Sequence, residues 1–413
     1  MRLRWASGRV KPAFGVRSRQ QGLLLDRCIC LGVAAISIAC AEEPLSNEAP
    51  VIASAEATQL EITIAPGPSY PYPAAMLLFN PSNRRLELVS QDGIELADMG
   101  EIAWADPDRR RGTPFGSLGG QVESVRFAYL SATADAADLF VRSATGTAKL
   151  GRFPPKALLA GSVPSGLLAV SAPHPGGSSD EFETSIFVID PLRRTGLDDP
   201  AVEGLDPGVV PLRVQIEDDQ PSGIVYCLSH SEELLVEADP CFGLYRVELS
   251  SGEVEEIVSA DLAIVALSPD MRIVALASDD RVPPDVRVRN LDTGTELVFK
   301  SEAGVRDVRS GEFGPAGTRL AWVSHSQGED GEVRPTLSLA SMAGGPVTLL
   351  ANASLSEAVG ADVTKVGPVG WLDEARLLLE LSTSRGSALY VLLLSEGRID
   401  HIASGQLAGF VYR

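Results

Sequence analysis

The chain has 413 residues, 45% of them hydrophobic and 22% charged, and carries a formal net charge of −20 at pH 7. A surface this acidic repels nucleic acid and anionic headgroups, so neither is expected as a partner. The 39 glycines and 28 prolines suit many short strands joined by tight turns better than long helices, and no sustained helical period is present beyond the N-terminal region.

Residues 1–39 read as an export signal. Arg2, Arg4, Arg9, Lys11, Arg17, Arg19 and Arg27 form a basic region, and the apolar run Cys28 to Ala39 is too short to span a bilayer. The run ends in Ser37-Ile38-Ala39-Cys40, which resembles the bacterial lipobox, in which the cysteine is lipidated and becomes the first residue. An ordinary secretory signal with an incidental cysteine is the alternative, and both export the chain. Ala41 after the cysteine favours sorting to an outer membrane. Removal of 1–39 leaves 28 basic and 54 acidic residues, a net charge of −26. Residues 40–70, rich in Pro, Ala and Glu, are expected to form a flexible tether. With Cys28 and Cys30 in the signal and Cys40 lipidated, Cys227 and Cys241 remain as a candidate disulfide pair in an oxidising compartment.

From about residue 71 onward, hydrophobic strands run repeatedly into small polar turns closed by glycine. These glycines are Gly93, Gly146, Gly196, Gly252, Gly294, Gly344 and Gly397, spaced by 53, 50, 56, 42, 50 and 53 residues. That period matches one four-stranded blade each, so the chain is expected to be an all-β, seven-bladed β-propeller over 71–413, with six or eight blades as alternatives. The first blade reads as three strands, AAMLLFN, RRLELVS and IELADM. Its missing innermost strand is expected to come from the C-terminal segment Gln406 to Arg413, which closes the ring and removes its open edges. Thr58 to Ile64 is a competing candidate for edge pairing.

The clearest repeat, LAIVALSPDMRIVALASDD…DVRVRNLDTGTELVF, places a Ser268-Pro269-Asp270 turn between its first two strands and Asp292-Thr293-Gly294 between its last two. Gly314-Pro315-Ala316-Gly317 and Trp371-Leu372-Asp373-Glu374 hold the first of these positions in the next two repeats. On these residues the chain resembles the TolB-like, WD-like repeat family of bacterial propellers, whose repeat reads roughly SPDG…IAFxS…LYxxDxxGG…LT. The resemblance covers about 260–403 well and 73–259 loosely, and Met271 stands where the family's repeat has glycine. It implies the propeller fold, on which many functions are built.

No Gly-x-Ser-x-Gly elbow, P-loop, His-Glu-x-x-His or EF-type calcium loop occurs, so no cofactor is expected. One constellation carries chemistry. The connections between second and third strands share one face of a propeller, and four consecutive ones read PHPGGSSDEFE, HSEELLVEADP, DDRVPPD and HSQGEDGEVRP. They bring together His174, His230 and His325 with Asp279, Asp280, Glu329, Asp330 and further carboxylates. Such a face can be solvated charge, a surface that attracts a basic protein or peptide, or a divalent-metal site; no metal ligand set is assigned. The expected function is a lipid-anchored, non-enzymatic binding or scaffold protein of the bacterial cell envelope. It faces the periplasm or cell surface and touches the membrane only through its lipid. An envelope hydrolase or lyase using His and carboxylate groups on the same face is the alternative.

Overall fold

The computed structural model describes residues 53–55, 72–104, 111–115, 124–161, 166–173, 183–218, 220–229, 241–278, 283–302, 304–328 and 331–412. The first strand is β1 (Ala53–Ala55). Then come β2 (Ala75–Asn80), β3 (Arg85–Ser90) and β4 (Glu95–Glu101), followed by β5 (Gly112–Phe115), β6 (Arg126–Ala132), β7 (Ala137–Ser143) and β8 (Gly146–Phe153). Next are β9 (Leu158–Gly161), β10 (Leu168–Pro173), β11 (Thr184–Ile189) and β12 (Val202–Leu205). β13 (Val209–Glu217), β14 (Gln220–Leu228), β15 (Cys241–Glu248) and the long β16 (Val254–Leu267) lead into β17 (Ile273–Ser278), β18 (Val286–Asn290) and β19 (Glu296–Phe299). β20 (Val305–Phe313), β21 (Arg319–Gln327), β22 (Val333–Ser341) and β23 (Val347–Ala351) precede one helix, α1 (Asn352–Val359). The chain finishes with β24 (Val363–Asp373), β25 (Arg376–Thr383), β26 (Gly386–Leu393), β27 (Arg398–Ser404) and β28 (Gln406–Val411).

These strands form six antiparallel sheets in a β-propeller arrangement. Five sheets are meanders of neighbouring strands. The sixth, β13 to β19, is two meanders joined through β16, which pairs with β15 around Val254–Val258 and with β17 around Leu262–Leu267. β28 pairs with β2, so the C-terminal strand completes the sheet that β2, β3 and β4 begin, as the missing strand of the first repeat required.

Among the described residues the core consists of seven apolar layers between successive meanders and one small cluster, Leu158, Val210 and Cys227, beside them. The layers explain a feature of the sequence. The second strand of each meander is a continuous apolar run, not an alternating one, because both of its faces are covered. In β2, Ala75, Leu77 and Phe79 enter the layer shared with β5–β8, and Met76 and Leu78 enter the layer shared with β24–β27. In β17, Ile273, Ala275 and Ala277 face β20–β23, while Val274 and Leu276 face β13–β16. Leu320 and Trp322 of β21 meet the β17 residues, and Ala321 and Val323 turn to Leu377 and Leu379 of β25. β6, β10 and β14 divide in the same way. Outermost strands such as β4 and β27 are exposed or half-buried at all but one position, Met99.

First strands contact one another around the inside. The Trp371 indole N–H of β24 donates to the Glu312 carbonyl of β20 at 3.0 Å, and a Cβ on Gly409 of β28 would strike the Pro114 ring of β5. All seven turn glycines have positive φ, from +63° to +154°.

Three local features differ from the sequence reading. Within 40–70, Ala53–Ala55 is a strand that pairs with Val347–Leu349 on the outer edge of β23, while Thr58 to Ile64 lies outside the described residues. Residues 352–359 form a helix: two turns with one buried residue, Leu355, are too short to show a period, and Gly360 caps it with φ +65°. In the third repeat the residue that closes the turn is Arg194, at φ +59°, whose N–H donates to the Asp190 carbonyl at 2.8 Å. Gly252, Gly294 and Gly397 make the equivalent bond; Gly196 sits two residues later.

Candidate functional site

Of the residues expected on the acidic face, His174, His230, Asp279, Asp280, Glu329 and Asp330 lie outside the described residues; Cys40 does as well. The strands that carry their connections are described. β10 and β11, β14 and β15, β17 and β18, and β21 and β22 are the second and third strands of four consecutive meanders. Three apolar layers hold these meanders side by side: Ile186 against Ile224, Leu244 against Leu276, and Val288 against Trp322 belong to them in turn.

His325 is the member of the constellation that the structure describes. It lies on β21 directly opposite Asp307 of β20, and its Nδ1 is 2.7 Å from Asp307 Oδ1. Asp307 also faces Arg309 at 3.4 Å. A bulge between Val308 and Gly311 leaves Arg309 and Ser310 exposed on this innermost strand. Such bulges re-aim side chains at functional sites. Bonding at Nδ1 fixes the ring orientation and leaves Nε2 as the nitrogen available to a ligand. The side chains are 22% and 41% exposed, so the pair is reachable from solvent.

Sequence reasoning missed Asp307 because it searched connections, and this carboxylate sits inside a strand. Its partnership follows from cross-strand register, which no spacing announced. His401, on β27, instead packs edge-on against Tyr390 with ring centroids 5.2 Å apart. Among the described residues no group of three or more His, Cys, Asp and Glu side chains is placed to hold a metal ion.

Cys227 and Cys241 are bonded, with Cα atoms 5.7 Å apart, joining the end of β14 to the start of β15 at the base of the 230–240 connection. Among the described residues a strongly perturbed carboxylate lies elsewhere. Hydrogen bonds from Arg152 and Lys149 hold Asp138 of β7 down to about 2. Burial pushes the Tyr226 phenol up to about 12. Among the described residues no helix is long and apolar enough to cross a membrane.

No protein-family model matches the chain, and no curated protein matches it. Solved structures do resemble it. TolB from Acinetobacter baumannii is 16% identical with a TM-score of 0.42, over 69% of this chain and 65% of that one. A prolyl endopeptidase from a study of two such enzymes is 12% identical with a TM-score of 0.52, over 82% of this chain and 50% of that one. An oligogalacturonate lyase from Vibrio parahaemolyticus is 10% identical with a TM-score of 0.50, over 84% of this chain and 97% of that one. The chain thus spans about two thirds of TolB and half of the endopeptidase. At these identities the likeness is one of fold.

Proposed function

We propose that the chain is a seven-bladed propeller, anchored to the bacterial cell envelope by lipid at Cys40, that binds a protein or peptide through its acidic second-to-third-strand connections. The blade count divides the β13–β19 sheet at β16 and is supported by the seven apolar layers. Export of residues 1–39, lipidation and outer-membrane sorting rest on the sequence around Cys40.

The observation that carries the binding reading is the adjacency of the four meanders. The carboxylate-rich connections belong to neighbouring meanders, and on this reading their charge adds up on one side of the ring. A basic partner is steered to such a surface, and its association rate falls with salt as the Debye length shrinks from about 10 Å at 0.1 M to about 3 Å at 1 M. Affinity capture from detergent-solubilised envelopes, with the parent chain and a variant neutralised at Asp279, Asp280, Glu329 and Asp330, tests this. The parent retains a basic partner at low salt and the variant loses it with unchanged Tm. Capture that ignores both salt and the substitutions rejects the reading.

A second reading, an envelope hydrolase or lyase, is favoured by the Asp307–His325 hydrogen bond, an arrangement suited to a general base. Turnover that His325→Asn abolishes would support it over the first.

A further inference from the structure

β23 is the outermost strand of the β20–β23 meander, so one of its edges faces away from β22. A strand edge of this kind is a template for another extended chain. Three of its five residues are taken by β1, with Ala53 opposite Leu349, Ser54 opposite Thr348 and Ala55 opposite Val347. The edge therefore accepts an antiparallel strand. Three residues lie at the short end of strand lengths, and by residue type Ala53, Ser54 and Ala55 bring no large apolar side chain.

A cavity of about 220 Å³ adjoins this strand. Thr348 and Leu350, alternate residues on one face of β23, line it together with Trp371, Leu392 and Leu394 of the next meander, and Leu394 stays only partly buried. Its lining holds a single charged residue, Arg319. The volume falls below the about 300–1,000 Å³ of small-molecule pockets and suits one side chain better than a free ligand. Residues directly opposite each other in an antiparallel pair share a face. Any strand on this edge thus sets the residue opposite Thr348 beside the cavity. Main-chain pairing along an edge, with a pocket for an alternate side chain, is how sheet edges recognise extended peptides.

We propose that the outer edge of β23 binds an extended segment of a partner protein, which replaces β1 and sets a leucine-sized apolar side chain in the cavity at the register of Ser54. The tether strand holds the edge by proximity, because it belongs to the same chain. A partner segment displaces it by burying the apolar side chain that the tether lacks. A second copy of this chain brings the same serine to that register and gains nothing there. A basic side chain at that position meets Arg319. The site is separate from the acidic connections and from any lipid, and does not depend on their roles.

Peptides of residues 50–58 carrying Ser54 unchanged, Ser54→Leu or Ser54→Lys, titrated calorimetrically, test the proposal. The acceptor is the full chain with Ala53→Pro, Ser54→Pro and Ala55→Pro, which strip β1 of its ladder donors and open the edge. The Ser54→Leu peptide is expected to bind one-to-one and to protect the amides of Val347–Ala351 from hydrogen exchange. The unchanged peptide should bind roughly tenfold to hundredfold more weakly, and the Ser54→Lys peptide no better than that. The parent chain, whose β1 competes, should bind the Ser54→Leu peptide more weakly than the acceptor does. Thr348→Trp, which fills the cavity from the edge strand, should bring the Ser54→Leu peptide to the level of the unchanged one; should that variant fail to fold, Leu394→Trp fills the cavity from the opposite wall. No saturable binding, equal affinity of the Ser54→Leu and unchanged peptides, or binding without protection of Val347–Ala351 overturns the proposal. So does a dimer of the parent chain that the triple proline variant loses, which would give the edge to a second copy.

Discussion

The backbone N–H of Ala74 donates to the Val411 carbonyl at 2.7 Å, and from there β28 runs antiparallel along β2 until Gln406 meets Phe79. The strand serves two layers at once. Leu407 packs with Met76 and Leu378, and Ala408 and Val411 pack with Leu77 and Trp104. Deleting Gln406–Arg413 should therefore expose the β2 edge, strip both layers and cause aggregation or loss of the cooperative melt. Leu407→Ala, a milder probe, should cost about 2–4 kcal/mol in denaturant titration. A soluble truncated chain with unchanged Tm would refute this role for β28.

Positive φ at non-glycine residues gives a second prediction. Arg84 holds φ +57° in an exposed turn. The left-handed region costs a side chain about 1–2 kcal/mol, partly offset by the extra unfolded-state freedom of glycine. Arg84→Gly should thus stabilise by about 0.5–1 kcal/mol, read as a raised Tm. Met271→Gly should gain less, because it also removes packing against the layer around Val274 and Leu276. A fall in Tm for Arg84→Gly would contradict the strain argument.

These positions show where sequence legibility stopped. Turns closed by glycine, and apolar runs such as Ile273 to Ala277, were legible because residue type and backbone requirement coincide there. Arg194 and Met271 occupy the same left-handed conformation without glycine, so composition pointed to Gly196 instead of Arg194. The Asp307–His325 pair was hidden for another reason: a cross-strand partner is set by register, and a bulge after Val308 shifts that register locally. The closing role of β28 could be read because an unpaired strand at one end matched a missing one at the other.

Asp138 supplies a pH-dependent prediction. Arg152 Nε lies 2.7 Å and Lys149 Nζ 2.8 Å from its carboxylate, and these hydrogen bonds lower its pKa from 3.8 to about 2. A depressed carboxylate stabilises the folded chain above its unfolded pKa, and that contribution disappears as pH falls from near 4 to near 2. Asp138→Asn should then lose stability at pH 6 and converge with the parent near pH 2. A stability difference that stays constant across this range would disprove the assignment.

The Cys227–Cys241 bond closes a loop of 14 residues' separation. Constraint of the unfolded chain by such a loop contributes about 3 kcal/mol in the chain-entropy model. The Cys227→Ser, Cys241→Ser double variant should unfold at lower denaturant by that amount, and the oxidised parent should show no thiol at either position. Two reactive thiols in the unreduced protein would remove the bond from the account.

Glu374, in the turn after β24, reaches across to the turn of the preceding meander. One carboxylate oxygen accepts the Ala316 N–H at 3.1 Å and the other accepts the Thr318 hydroxyl at 2.8 Å, so a single side chain satisfies two donors of the neighbouring turn. The site is partly buried, where donors left without an acceptor are costly. Glu374→Ala should destabilise by about 1–3 kcal/mol, and Glu374→Gln, which keeps one carbonyl oxygen, by less. Thr318→Val removes one donor outright, so it should cost less in the Glu374→Ala background than in the parent. A double-mutant cycle should give a coupling of about 0.5–1.5 kcal/mol. Additivity within about 0.3 kcal/mol would mean that the two turns are held together by the apolar layer beneath them, around Trp371 and Leu337, and not by the carboxylate.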